Sequence, residues 1–227
     1  MKVKAALHLH AKEDFQDGKL IDYTIKELID RAVVLGYQVL AITGHDKFIC
    51  GSDMVAYAKS KGILLLPGIE VCIKRKHLLI INCSTEAEQV TDFDRLAKWR
   101  TDHPESFVLV PHPNHGMRVS LGLNDLRQHH DLFDAVEHSW FYTKQFNPNK
   151  KVERVCRELN KPFIATSDLH TINYLAGDYA VLDVSELTPE AVFTAIRSGN
   201  FSNVSSPKKL WELTKFSIWM SLFEFFN

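Results

Sequence analysis

The sequence predicts an α/β fold, a closed barrel rather than an open sheet, followed by an aromatic-rich C-terminal helix. Three observations predict it. Short apolar runs alternate with helical patterns about seven times along the 227 residues, as parallel strands joined by crossover helices do. Histidines and acids stand just after those runs: His8-Leu9-His10, His45-Asp46, Glu70, His112 and Asp168-Leu169-His170. Those residues come from strands along the whole chain. An open sheet gathers its site at one switch point, whereas a barrel gathers side chains from all its strands.

The elements follow in order. A strand at 3–8 leads to a helix at 22–36, where Ile25, Leu28, Ile29, Ala32 and Val33 repeat at helical spacing and Gly36 stands at the C-cap. A strand at 38–43 and a helix at 52–61 follow, with Gly62 beyond the helix end. Strands at 63–70 and 77–82 precede a helix at 86–100. A strand at 107–111, a helix at 123–130 and a strand at 133–137 come next. A helix at 149–160, strands at 162–166 and 179–184, a helix at 188–198 and a short run at 201–204 close the core. No linker interrupts residues 1–206, which read as one domain.

Residues 207–227 read differently. Leu210, Trp211, Leu213, Phe216, Ile218, Trp219, Met220, Leu222, Phe223, Phe225 and Phe226 fall almost all round a helix. Packing on the outer wall of the barrel is the first expectation. The apolar density exceeds what one face buries, so a homodimer contact or a peripheral membrane contact is expected beside it. Lys208, Lys209 and Lys215 are too few for strong electrostatic anchoring.

Composition narrows the function. A chain 45% hydrophobic and 24% charged buries an ordinary core. Its net charge of -1 gives no bulk attraction to nucleic acid. Cys50, Cys72, Cys83 and Cys156 form no CxxC pair and read as free thiols of a cytoplasmic protein. The first apolar stretch is too short for a signal peptide, and no segment is long and apolar enough to cross a membrane.

Imidazole and carboxylate together suit Zn, Mn or Fe. His8 and His10 lie two apart on a strand end and so face the same side, and Asp168 and His170 repeat that spacing. Five blocks recur in order: LHLH at 7–10, AITGHD at 41–46, PGIE at 67–70, VPHP at 110–113 and SDLH at 167–170. This pattern, which spans nearly the whole chain, resembles the PHP (polymerase and histidinol phosphatase) family of metal-dependent phosphoesterases.

The resemblance implies a distorted (βα)7 barrel of the PHP type holding two or three divalent ions. It implies a first ion on His8, His10, Glu70 and Asp168, and a second on Glu70, His77 and His112. It implies a third on His45, His170 and one residue of the loop after His10. Asp14 and Asp17 both qualify for that place; Asp14 is preferred because Asp17-Gly18 has the composition of a turn. Three divalent ions against three carboxylates leave a positive site, which suits a phosphate. Paired ions about 3.5–4 Å apart clamp a phosphate oxygen and bring the pKa of a bound water toward about 7. A metal-bound hydroxide is then the expected nucleophile, with no protein nucleophile needed.

Asp168, His170 and His45 are the expected catalytic residues. His115 and Arg118 are expected to grip a substrate phosphate, and Glu137 and His138 to line the pocket or order a water. Asp46 is expected to orient a ligand. His103, His129 and His130 read as surface residues. The intervals from His77 to His112 and from His138 to Asp168 leave no room for a cap domain, so an open site is expected. The expected substrate is a small phosphomonoester or a nucleotide end. Hydrolysis of a non-phosphate bond, as in amidohydrolases, and a non-catalytic metal-binding regulatory module are the alternatives.

Overall fold

The computed structural model describes residues 1–116 and 118–226, with side chains as far as Ile218. The tail residues Trp219, Met220, Leu222, Phe223, Phe225 and Phe226 therefore lie outside the described side chains. Among the described residues nine strands form one sheet: β1 (Lys2–Leu9), β2 (Val39–His45), β3 (Leu64–Ile73), β4 (Lys76–Ile81), β5 (Phe107–Val110), β6 (Ala135–His138), β7 (Phe163–Ala165), β8 (Tyr179–Asp183) and β9 (Phe201–Val204). Their spatial order is β7-β6-β5-β4-β3-β2-β1-β8-β9. Among the same residues seven α-helices accompany them: α1 (Ile25–Val34), α2 (Ser52–Ser60), α3 (Phe93–Asp102), α4 (Leu123–Gln128), α5 (Asn149–Glu158), α6 (Pro189–Arg197) and α7 (Leu210–Phe226).

The sheet curls until its ends nearly meet. Leu9 bridges Leu169 in parallel, just beyond β7. Asn203 of β9 clips β7, accepting from Ala165 N–H and donating to the Phe163 carbonyl, both at 2.8 Å. The expected barrel is present, but its sheet is mixed where a parallel one was expected. β4 runs antiparallel to β3 and β5, and β8 antiparallel to β1 and β9. The reason lies in the connection: β3 and β4 are joined by a tight turn at Lys74 and Arg75, both left-handed at φ 47° and 68°. Two residues leave no length for the crossover that a parallel pair needs.

Two helix boundaries also differ from expectation. Helix α1 begins at Ile25, because Thr24 and Glu27 form a capping box that stops it from starting earlier. The helix expected at 86–100 divides into a 3₁₀ turn at Thr85–Gln89 and α3, whose N-cap Asp92 accepts from Arg95 N–H at 2.8 Å.

Strand alternation explains what points inward. Val39 and Ala41 of β2, Leu66 of β3, Leu79 and Ile81 of β4 and Ala135 of β6 share the inner core. Continuing each period of two brings Thr43 and His45, Gly68 and Glu70, His77, and Glu137 to the same side. Strand β1 needs a correction of phase. Val3, Ala5 and Leu7 belong to the inner cluster, whereas Leu9 belongs to the outer one. An irregularity between Ala6 and Leu9 shifts the register there and re-aims His8 and His10 inward.

Helix α7 is tied to the barrel at its start. Lys208 N–H donates to the Tyr142 carbonyl at 2.8 Å, and its ammonium pairs with the buried Asp178. Leu213 is buried against the body, whereas Leu210, Trp211 and Ile218 are exposed. One face of the described part of the helix thus lies toward the barrel and the other toward solvent. Among the described residues no helix is long and apolar enough to cross a membrane.

Candidate metal centre

Glu70 stands at the centre of the site, buried on the inward row of β3. Gly68 keeps that row uncrowded: a Cβ there would sit 3.1 Å from both the Ile80 carbonyl oxygen and Thr43 Cγ2. The two oxygens of Glu70 face different groups of imidazoles. Oε2 lies 3.0, 3.3 and 3.4 Å from Nε2 of His8, His10 and His45. Oε1 lies 2.7 Å from His77 Nδ1 and 3.3 Å from His112 Nε2.

His77 joins them because β4 is antiparallel. Its amino end lies on the face where the parallel strands have their carboxyl ends. His112 and Asp168 arrive by backbone turns, with left-handed φ of 29° and 42°. Such conformations cost about 1–3 kcal/mol each and recur at functional sites. Asp168 Oδ1 lies 3.4 Å from Nε2 of both His8 and His10, and 3.6 Å from His170 Nδ1.

Two carboxylates stand behind histidines. Glu137 Oε2 is 2.9 Å from His8 Nδ1, and Asp14 Oδ2 is 2.9 Å from His10 Nδ1. In both cases Nε2 of the imidazole faces Glu70 and Asp168, so each carboxylate fixes a ring from its far side. Asp14 is saturated: it also accepts from the backbone N–H of Gln16, Asp17 and His45 at 2.9–3.0 Å and contacts His45 Nδ1. Asp17 is different. Its Oδ2 lies 3.0 Å from His170 Nε2 and 4.0 Å from His45 Nδ1, and it lines a cavity of ≈ 590 Å³. Gly18 permits this loop, since a Cβ there would meet the Asp14 and Lys12 carbonyl oxygens at 2.4 Å.

The same cavity is lined by His45, Glu70, His77, His112, Asp168 and His170, with His115 and Arg118 among its other lining residues. It thus brings the expected phosphate-gripping pair to the cluster. Glu137 is not at the cavity wall where the pocket expectation placed it; it lies buried behind His8. His138 is turned away, as strand alternation from Glu137 requires, and lines a separate cavity with Cys156 and Lys161. Asp46 does not orient a histidine: its Oδ1 accepts from Cys72 N–H at 2.8 Å and ties the end of β2 to β3. His103 and His129 stack on Trp99 and Phe93, away from the site.

Sequence reasoning missed Ser139, Trp140, Phe141, Phe216 and Ser217, which also line the cavity. Trp140 and Phe141 carried a signal, since they follow directly on the end of β6. The tail residues carried none, and their presence corrects the expectation of a fully open site.

Electrostatics bind the cluster together. Burial opposes the charged form of His8, but the charges of Asp168 and Glu70, with hydrogen bonds that His8 donates to Glu137 and Glu70, overcome it and raise its pKa to about 10. His10 is raised against its burial by Asp14, Asp168 and Glu70, and His112 by Glu70 and Asp168. Glu70 and Asp168 are pushed well below the usual carboxylate range despite burial, by His77 and His8 at Glu70 and by His8 and His10 at Asp168. Burial pushes the thiols of Cys50, Cys83 and Cys156 up to about 12, so none of these three is a ready thiolate.

This donor set fits divalent metal. Among the described residues the charged partners of Glu70 and Asp168 are histidines alone. Three groups can each close on one ion: His8, His10 and Asp168; His10, Asp14 and His45; His45, Glu70 and His77. Buried imidazoles packed on carboxylates without lysine or arginine are what a cation replaces protons in.

Comparison with known proteins agrees. No curated protein matches the chain in sequence. A two-domain protein of Bacteroides vulgatus containing a predicted PHP-like metal-dependent phosphoesterase superposes with TM-score 0.69 at 17% identity, covering 91% of this chain and 65% of that one. The chain thus spans about two thirds of that protein's length. PsfC of Pseudomonas syringae gives TM-score 0.62 at 12% identity over 100% of this chain and 99% of its own. The lesion-specific endonuclease PfuEndoQ of Pyrococcus furiosus gives 0.62 at 15% identity over 89% and 58%. These likenesses carry the fold, and the family model of the PHP domain matches residues 6–181. The barrel, the histidine and carboxylate cluster at its mouth and this match make the chain a member of the PHP domain family.

Proposed function

We propose that the chain hydrolyses phosphate esters, with a small phosphomonoester or the end of a nucleotide as substrate. The observation that carries this is the split of Glu70, whose two oxygens face two groups of imidazoles as a bridging carboxylate does. In this reading His8, His10, Glu70 and Asp168 hold one ion, and Glu70, His77 and His112 a second. His45, His170 and Asp17 hold a third; Asp17 is favoured over Asp14 because its carboxylate borders the cavity. Zn, Mn or Fe suits these ligands. When bound, such ions polarise a phosphate and supply an acidified water.

The chain's own residues do the rest. Arg118 at the cavity rim, a fixed cation, binds a phosphate oxygen, and His115 beside it supplies a neutral donor, since burial lowers its pKa. Glu137 and Asp14 hold the His8 and His10 rings still. Elemental analysis of protein purified without chelator, followed by a phosphoester screen with the metal found, tests the reading. Two or three equivalents and turnover of a phosphate ester are expected, and His10→Ala and Asp168→Ala are each expected to abolish turnover while the fold survives. Metal-free protein even after soaking in Mn or Zn, or turnover of amide substrates alone, overturns it.

A further inference from the structure

We infer that the C-terminal helix is part of the substrate site, and that its Phe216, with Trp140 and Phe141, selects phosphate esters whose alcohol half carries a flat aromatic ring. This rests on the phosphoesterase reading above. The cavity of ≈ 590 Å³ holds far more than a phosphate group, since a water takes about 30 Å³ in the liquid. Its walls are unlike one another. Around the histidine cluster they are polar and charged; away from it they are Trp140, Phe141 and Phe216.

These rings form one surface. Phe216 meets Trp140 edge-on at 5.0 Å between centroids and lies 6.2 Å from Phe141 and 6.3 Å from His170. Trp140 is braced from behind by Tyr174, stacked at 5.4 Å. Trp140 is buried, whereas Phe141 and Phe216 keep part of their surface at the cavity. An aromatic substituent placed there gains offset or edge contacts at ring separations of about 4.5–7 Å, which a short alkyl group cannot make. The rings are held in place before any ligand arrives, because Lys208 with Asp178 and the buried Leu213 dock α7, so little ordering is left to binding. The helix that the sequence offers as an outer-wall or partner contact therefore has a second duty on its inner side.

Non-hydrolysable phosphonates separate ring recognition from leaving-group chemistry. The metal-loaded full chain is titrated calorimetrically with ethylphosphonate, benzylphosphonate and a nucleoside phosphonate. At least one ring-bearing ligand is expected to bind about tenfold more tightly than ethylphosphonate, and which one does so tells a simple aryl ester from a nucleotide. Phe216→Ala is expected to lose most of that preference. Phe216→Leu, which keeps an apolar side chain against the barrel, is expected to lose it too. Equal binding of ring and alkyl ligands by the natural chain, or an unchanged preference in both variants, overturns the inference and leaves the phosphoesterase reading standing. Binding of none of the three overturns both.

Discussion

Glu137 reaches two strands at once: its Oε2 lies 2.9 Å from His8 Nδ1, and its Oε1 accepts the His112 N–H at 3.1 Å. A carboxylate behind an imidazole keeps the proton on the near nitrogen and leaves the far one free to ligate. Here it also ties the end of β1 to the residue after β5, so two expected ligands move together. Glu137→Gln keeps the shape and removes the charge. Metal affinity, read by competition with a chromogenic chelator, is expected to fall by about 10–100-fold. Unchanged affinity would show that Glu137 only packs.

Metal binding is expected to release protons. His8 is raised to about 10 and His10 well above the usual imidazole range, so both favour the protonated form near neutral pH in the metal-free chain, and His112 is shifted in the same direction. Ligation needs their lone pairs. Below the raised pKa values metal and proton compete, so apparent affinity should climb as pH rises and level off only above them. Calorimetry at pH 7 in two buffers of different ionisation enthalpy measures the release directly. More than one proton per chain is expected; zero would mean that the cluster is already neutral.

The architecture was legible because it follows from periodicity. Apolar runs marked the strands, and a period of two carried the inner faces of β2 and β3 straight to His45 and Glu70. What stayed hidden depends on single backbone events. The irregularity between Ala6 and Leu9 reverses the phase of β1, and nothing in Ala-Ala-Leu-His announces it. The left-handed turns at His112 and Asp168 fall on non-glycine residues, where positive φ is uncommon, and although Asp and His adopt it more readily than most, no local pattern marks these two. His138 departs from the expectation because neighbours on a strand face opposite ways, so it and Glu137 do not both point inward. Which side of the tail meets the barrel stays hidden, because an all-round apolar pattern has no preferred face.

The two loop aspartates should separate by experiment. Asp17→Asn is expected to lower metal content by about one equivalent and leave stability unchanged, since Asp17 Oδ2 has His170 as its main partner at 3.0 Å. Asp14→Ala leaves the N–H groups of Gln16, Asp17 and His45 without their acceptor. A buried donor left unpaired costs about 1–3 kcal/mol. The denaturation midpoint in chelator should fall for Asp14→Ala and hold for Asp17→Asn. The opposite pattern would return the loop-ligand role to Asp14.

The link between Asp178 and Lys208 sets the position of α7, and with it the wall of the cavity. Asp178 is 2% exposed; it accepts from Ser205 Oγ at 2.6 Å and pairs with the Lys208 ammonium. Removing one partner of a buried pair strands the other charge at a cost of about 3–5 kcal/mol. Lys208 is close enough to the surface, at 14% side-chain exposure, to escape that cost by swinging outward. The helix would then lose its anchor before the barrel loses its core. Asp178→Asn is accordingly expected to speed hydrogen exchange across 208–217 by tenfold or more, with exchange in β1 to β3 and metal content unaltered. Faster exchange throughout the barrel would instead show that the pair holds the whole fold, and that α7 has no independent docking equilibrium.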